Sequence, residues 1–158
     1  EGSKWKSCTR HSLSWYLKER KKMTIERKNN LGTIKLDDYI FAQIIQTSLS
    51  KSGGKAFHAS EKGKLLGSQG IKSSIGEISS NIRIREEADQ YVIEFYVITL
   101  FGASIRETTN EILDYIEYEM KGLFPGKGGR LILRIVGIKS KRIAPRNIKV
   151  VREYESER

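Results

Sequence analysis

Tyr91-Val-Ile-Glu-Phe-Tyr-Val-Ile-Thr-Leu100, running directly into Phe101-Gly-Ala-Ser-Ile-Arg-Glu107, is the stretch on which the fold turns. Tyr91, Ile93, Phe95 and Val97 alternate with Val92, Glu94, Tyr96 and Ile98, so β-branched and aromatic side chains fill nearly both faces of one extended run. Such a strand belongs inside a sheet. Ser104 and Glu107 then make a capping box, in which the hydroxyl accepts from the Glu107 amide and the carboxylate reaches back to the amide of the cap. Ile105, Thr109, Ile112, Ile116, Met120 and Leu123 recur every three or four residues, one helical face meant for burial. Gly122 suits a left-handed stop, and Pro125-Gly126 forbids continuation. Leu131 to Ile138 returns as a second β-rich run. No His, Cys or Ser in this unit stands at a spacing that nucleophilic or metal chemistry needs, so it reads as a unit that binds and does not catalyse.

Working outward, Leu31 to Leu36 alternates as a short edge strand. Asp37 and Asp38 offer an N-cap to a helix lined on one side by Ile40, Phe41, Ile44, Ile45, Ser48 and Leu49, and Gly53-Gly54 ends it. From Lys55 to Ser74 the chain is rich in Gly, Ser and Lys and reads as a mobile loop with a short strand near Phe57. Ile82 and Ile84, alternating with Arg83 and Arg85, begin a strand that turns through Glu87-Ala-Asp-Gln90 into the central one, a hairpin whose turn is longer than two residues. The fold class expected is α+β: a single small mixed or antiparallel sheet with two helices packed on one face, in the order strand, helix, two or three strands, helix, strand. After Lys139-Ser-Lys-Arg142, the alternation of Ile148, Val150, Val151 and Tyr154 fits either a terminal edge strand or a loose tail. Val92, Tyr96, Ile98 and Leu100 leave the second face of the central strand unusually apolar. That face either packs under the long loop or meets a second chain.

The run from Tyr91 to Gly102, the Ser104-Ile-Arg-Glu cap, and the helix closing at Met120-Lys-Gly-Leu123 together resemble the alkaline-shock protein family, small cytoplasmic proteins of Gram-positive bacteria. Leu131-Ile-Leu-Arg-Ile-Val-Gly-Ile138 resembles that family's last strand, and Met23-Thr-Ile-Glu with Leu31-Gly-Thr-Ile-Lys-Leu36 its opening. The match spans roughly Met23 to Ile138 and rests on spacings of apolar residues and glycines. Ser52-Gly53-Gly54-Lys55 departs from it where family members usually carry a Gly-Val pair. The resemblance implies a non-enzymatic role in cell-envelope stress homeostasis, a protein partner anchored in the membrane, self-association, and a cytoplasmic location peripheral to the membrane. Three segments follow: a basic leader or disordered extension over 1–22, the family-like domain over 23–138, and a basic C-terminal tail over 139–158.

Charge adds a second line of argument. The formal net charge of +10 divides into +9 over residues 1–72, −6 over 73–123 and +7 over 124–158. An acidic middle thus lies between two basic ends, which attract anionic surfaces: an acidic protein, nucleic acid or anionic lipid. In residues 1–22, Leu13, Trp15, Tyr16 and Leu17 beside Lys18, Arg20, Lys21 and Lys22 have the composition of a short interfacial helix, although a disordered end is the favoured reading. Cys8 is the only cysteine and His11 and His58 the only histidines, too few for a disulfide framework or a Cys-based zinc site. The longest uncharged run, Tyr39 to Ser50, is twelve residues, whereas a bilayer span needs about twenty apolar ones.

The remaining motifs are weak. Gly126-Lys-Gly-Gly129 matches the Gly-x-x-Gly loop that clamps a nucleic-acid backbone between two helices, but here it joins helix to strand and reads as a hinge. Gly53-Gly-Lys55 and Gly67-Ser-Gln-Gly70 lack the Gly-Lys-Ser/Thr ending of a phosphate loop. Glu107, Glu111, Asp114, Glu117 and Glu119 form a helical stripe that reads as a solvated face and not as an acid/base pair. The candidate interaction surface is Arg83, Arg85, Ile98, Lys139, Lys141, Arg142 and Arg146, with no catalytic residue, cofactor or metal expected. The alternative function is a nucleic-acid-binding module using the basic N- and C-terminal regions.

Overall fold

The computed structural model describes residues 25–67 and 74–156. The readings made for residues 1–22 and for the start at Met23 lie outside these. β1 (Ile25–Asn29) and β2 (Gly32–Leu36) form a two-stranded antiparallel hairpin, followed by α1 (Asp38–Lys51), β3 (Ala56–Ala59), a short α2 (Ile75–Ser79), β4 (Arg83–Glu87), β5 (Gln90–Leu100), α3 (Ile105–Leu123), β6 (Gly128–Lys139) and β7 (Ile143–Tyr154). The main sheet runs β3-β5-β6-β7, and β4 shares with β3 the same neighbour, β5. β3 pairs with the second half of β5 from Tyr96 to Thr99, and β4 with the first half from Gln90 to Glu94. β5 and β6 are parallel, while every other pairing is antiparallel. The parallel step needs a crossover, which α3 supplies. The sheet is therefore mixed and the fold α+β.

Burial follows the alternation. Tyr91, Ile93, Phe95 and Val97 of β5 and Leu131, Leu133 and Ile135 of β6 join one apolar cluster with Phe41, Ile44, Ile45 and Leu49 of α1 and Ile112, Leu113, Ile116 and Met120 of α3. Phe124, just past α3, stacks on Phe41 at 6.0 Å and tilts against Tyr91 at 4.5 Å between ring centres. Ser104 accepts from the Glu107 amide, as its sequence predicts. The Glu107 carboxylate makes no hydrogen bond among the described residues, so only half of the capping box forms.

Several expectations are corrected. The strand at Gly32–Leu36 is not an edge of the main sheet, because β1 takes it as partner in a separate hairpin. The β4–β5 turn is two residues, Ala88-Asp89, with Ala88 at φ +46° where a glycine would be strain-free. Gly122 is not the helix stop. It lies inside α3, and the left-handed residue is Gly126 at φ +90°. α2 was missed, although Ser74 and Glu77 carry a cap signal: the Ser74 hydroxyl accepts from the Glu77 amide. After Arg142 the alternation resolves as β7, a twelve-residue strand paired along β6.

Candidate interaction surface

The face of the sheet turned away from α1 and α3 holds a groove whose position is set by a register fault. Val97 pairs with Ile135 and Ile98 with Gly137, so Val136 is an extra residue on β6; on the other side Ile135 pairs with Ile148 and Gly137 with Pro145. Arg146 and Asn147 are thereby bowed out of the ladder opposite Val136. A bulge re-aims side chains and bends the strand, and Pro145 is tolerated there because β7 is an edge. The floor of the groove is Glu94, Tyr96, Arg134 and Val136; Glu61, Lys62 and Gly63 line one rim, Pro145, Arg146 and Asn147 the other, and Arg83 completes the lining.

Each floor residue has a physical reason to be where it is. Glu94 interrupts an otherwise apolar strand, and its buried carboxylate is satisfied by a close ion pair with the Arg134 guanidinium from the neighbouring strand. Tyr96 is 4% exposed, with Arg83 5.9 Å from its ring centre. Burial, with Glu94 beside it, pushes its phenol pKa up. Arg83 pairs with Glu61 at 2.5 Å, an exposed contact that ties β4 to the loop after β3. Arg146 donates only to the carbonyl of Pro145, and among the described residues no carboxylate pairs with Arg146 or Lys62. The groove thus holds four cations against two carboxylates, both already neutralised by arginine.

Of the residues singled out in the sequence, only Arg83 and Arg146 meet in this groove. Arg85 lies farther along β4, 3.9 Å from Glu87. Lys139, Lys141 and Arg142 stand at the β6–β7 turn, away from it. Ile98 is not a surface residue at all. It is 0% exposed, in a small cluster with Ala59 and Tyr96 under Leu65 and Val136, so the loop covers the apolar face within the chain. Glu94 and Arg134 went unnoticed, although a carboxylate inside an apolar strand is itself a signal that a partner must exist. The acidic stripe of α3 faces solvent at Glu107, Glu111 and Asp114, and three of its carboxylates meet cations: Glu111 meets Lys55 at 3.2 Å, Asp114 meets Arg152, and Glu117 meets Lys121 at 3.1 Å. Lys127, in the glycine hinge, is held by Glu86 and lies 4.6 Å from the Tyr91 ring centre. No group of His, Cys, Asp and Glu among the described residues is placed to hold a metal, and no described helix is long and apolar enough to cross a membrane.

The model of the alkaline-shock protein 23 family, described as having a cell envelope-related function, matches residues 26–125, well over half of the chain. This chain belongs to the alkaline-shock protein family. The matched segment runs from β1 to the end of α3 and so includes the capped helix, the central strand and the loop rim of the groove. No curated protein and no solved structure matches the chain.

Proposed function

We propose that this alkaline-shock family member is a non-enzymatic, cytoplasmic adaptor of envelope stress homeostasis, held at the membrane by an anchored protein partner whose acidic segment seats in the sheet-face groove. The observation that carries the reading is the charge balance of the groove. Arg83 and Arg134 are already neutralised by Glu61 and Glu94, which leaves Arg146 and Lys62 as a surplus that an acidic peptide would complement. A family description of cell envelope-related function supports the setting. The nucleic-acid alternative is less well served, because single-strand binding interleaves cations with stacking rings and Tyr96, the one aromatic of the groove among the described residues, is buried.

The test is membrane fractionation, with capture of bound proteins, from cells carrying either the natural chain or a Lys62→Gln/Arg146→Gln variant. The natural chain is expected to capture an integral membrane protein after detergent has dissolved the lipid, and the variant is expected to lose that protein at an unchanged melting temperature. Capture of the same protein by the variant, or turnover of a substrate in proportion to protein concentration, would overturn the reading.

A further inference from the structure

The end of the main sheet toward which β5 runs carries apolar side chains that the described chain leaves uncovered. Phe101 is 73% exposed, and its amide donates to the Lys139 carbonyl at 2.8 Å, which fixes it beside the β6–β7 turn. Leu100 pairs with Lys139, and Lys139 pairs with Ile143; Leu100 and Ile143 are also exposed. Gly137 permits this arrangement, since a Cβ there would meet Ile143 Cγ2 at 2.8 Å and Ile98 Cγ1 at 3.3 Å. The cations of the same end are equally distinctive. The Lys139 ammonium stands 4.7 Å from the centre of the Phe57 ring, and the turn closed by the Ser140 amide on the Arg142 carbonyl projects Lys141 and Arg142 into solvent. Lys127, Arg130, Arg134 and Arg152 each meet a carboxylate. Among the described residues, Lys139, Lys141 and Arg142 meet none.

Aromatic and aliphatic side chains borne on two adjacent turns, with cations around them that meet no carboxylate among the described residues, match a layer that is apolar below and phosphate-bearing above. We propose that this end of the sheet, formed by Leu100, Phe101 and Ile143 with Lys139, Lys141 and Arg142, docks directly on an anionic lipid surface. The contact is separate from the groove and needs no protein partner, so the two readings fail independently.

The experiment uses the full chain with vesicles of phosphatidylcholine alone and of phosphatidylcholine mixed with phosphatidylglycerol in equal parts. Because both basic ends of the chain attract anions, hydrogen exchange read by mass spectrometry locates the contact, and sedimentation measures its strength. Residues 101–103 and 140–143 are expected to gain protection with the anionic vesicles only. Phe101→Ser and Lys141→Gln/Arg142→Gln are both expected to weaken binding, the double variant by about thirtyfold at low salt. Arg85→Gln/Lys149→Gln, which removes the same charge elsewhere on the sheet, is expected to bind as the natural chain does. Absence of vesicle binding, protection confined to other segments such as the groove rims, or equal loss in the charge-matched control would overturn the proposal.

Discussion

At the scale of single residues, two buried polar groups set the sharpest tests. Glu94 is buried inside the sheet and its carboxylate pairs with the Arg134 guanidinium, so Arg134→Met strands that carboxylate in an apolar surrounding. Removing one partner of such a pair costs more than replacing both, so Arg134→Met is expected to lower stability by about 2–3 kcal/mol and the added change Glu94→Leu to recover most of it. A thermal or denaturant double-mutant cycle measures this. His58 is the second case. It is buried opposite Val97, neither ring nitrogen has a hydrogen-bond partner among the described residues, and burial lowers its pKa from 6.5 to about 4. The folded chain therefore refuses a proton that the unfolded chain accepts below pH 6.5, and stability falls as pH falls from there toward pH 4. The loss expected over that window is about 3 kcal/mol. Urea titrations across it should show the slope in the natural chain and its absence in His58→Leu.

At the scale of elements, α3 carries the packing. Its cap was legible because a hydroxyl three residues before a carboxylate, ahead of an apolar period, has a mechanism behind it. Ser104→Ala is expected to cost about 1 kcal/mol by leaving the Glu107 amide without its acceptor. Ile112→Ala and Ile116→Ala are each expected to cost roughly 2–5 kcal/mol, since both side chains are fully buried between the helix and the sheet. Equilibrium unfolding of the three variants checks the helix start and its phase together. Met120 is buried on the same helical face, whereas at the helix end Gly122 continues the helix and Gly126 makes the reversal. A glycine is permissive in both conformations, so its identity alone does not say which of two nearby glycines turns. The two-residue β4–β5 turn was illegible for a related reason: Ala88 sits where turn chemistry favours glycine, held there by the pairing of the strands on either side.

At the scale of the whole molecule, exposed cations and sealed apolar side chains answer substitution in opposite ways. Lys139, Lys141, Arg142 and Arg146 are not members of any buried pair, so replacing all four by glutamine is expected to change unfolding free energy by less than about 1 kcal/mol. Ile98→Asp behaves in the opposite way. Its side chain is sealed under Leu65 and Val136, and an unpaired carboxylate there is expected to cost more than about 3 kcal/mol, read as a collapse of the melting transition and not as a selective loss of association. The amino-acid sequence by itself determined the elements with strong periodicity and the mixed α+β class, because burial on one face leaves its period in the chain. It also determined the uneven charge, which is composition and needs no fold. Only the tertiary structure decided that the loop after β3 covers the apolar sheet face, that a bulge at Val136 brings Arg83, Arg134 and Arg146 to one groove, and that Lys139, Lys141 and Arg142 stand apart with Phe101. These juxtapositions join residues far apart in sequence through strand register and loop placement, and neither leaves a local periodic mark from which proximity can be read.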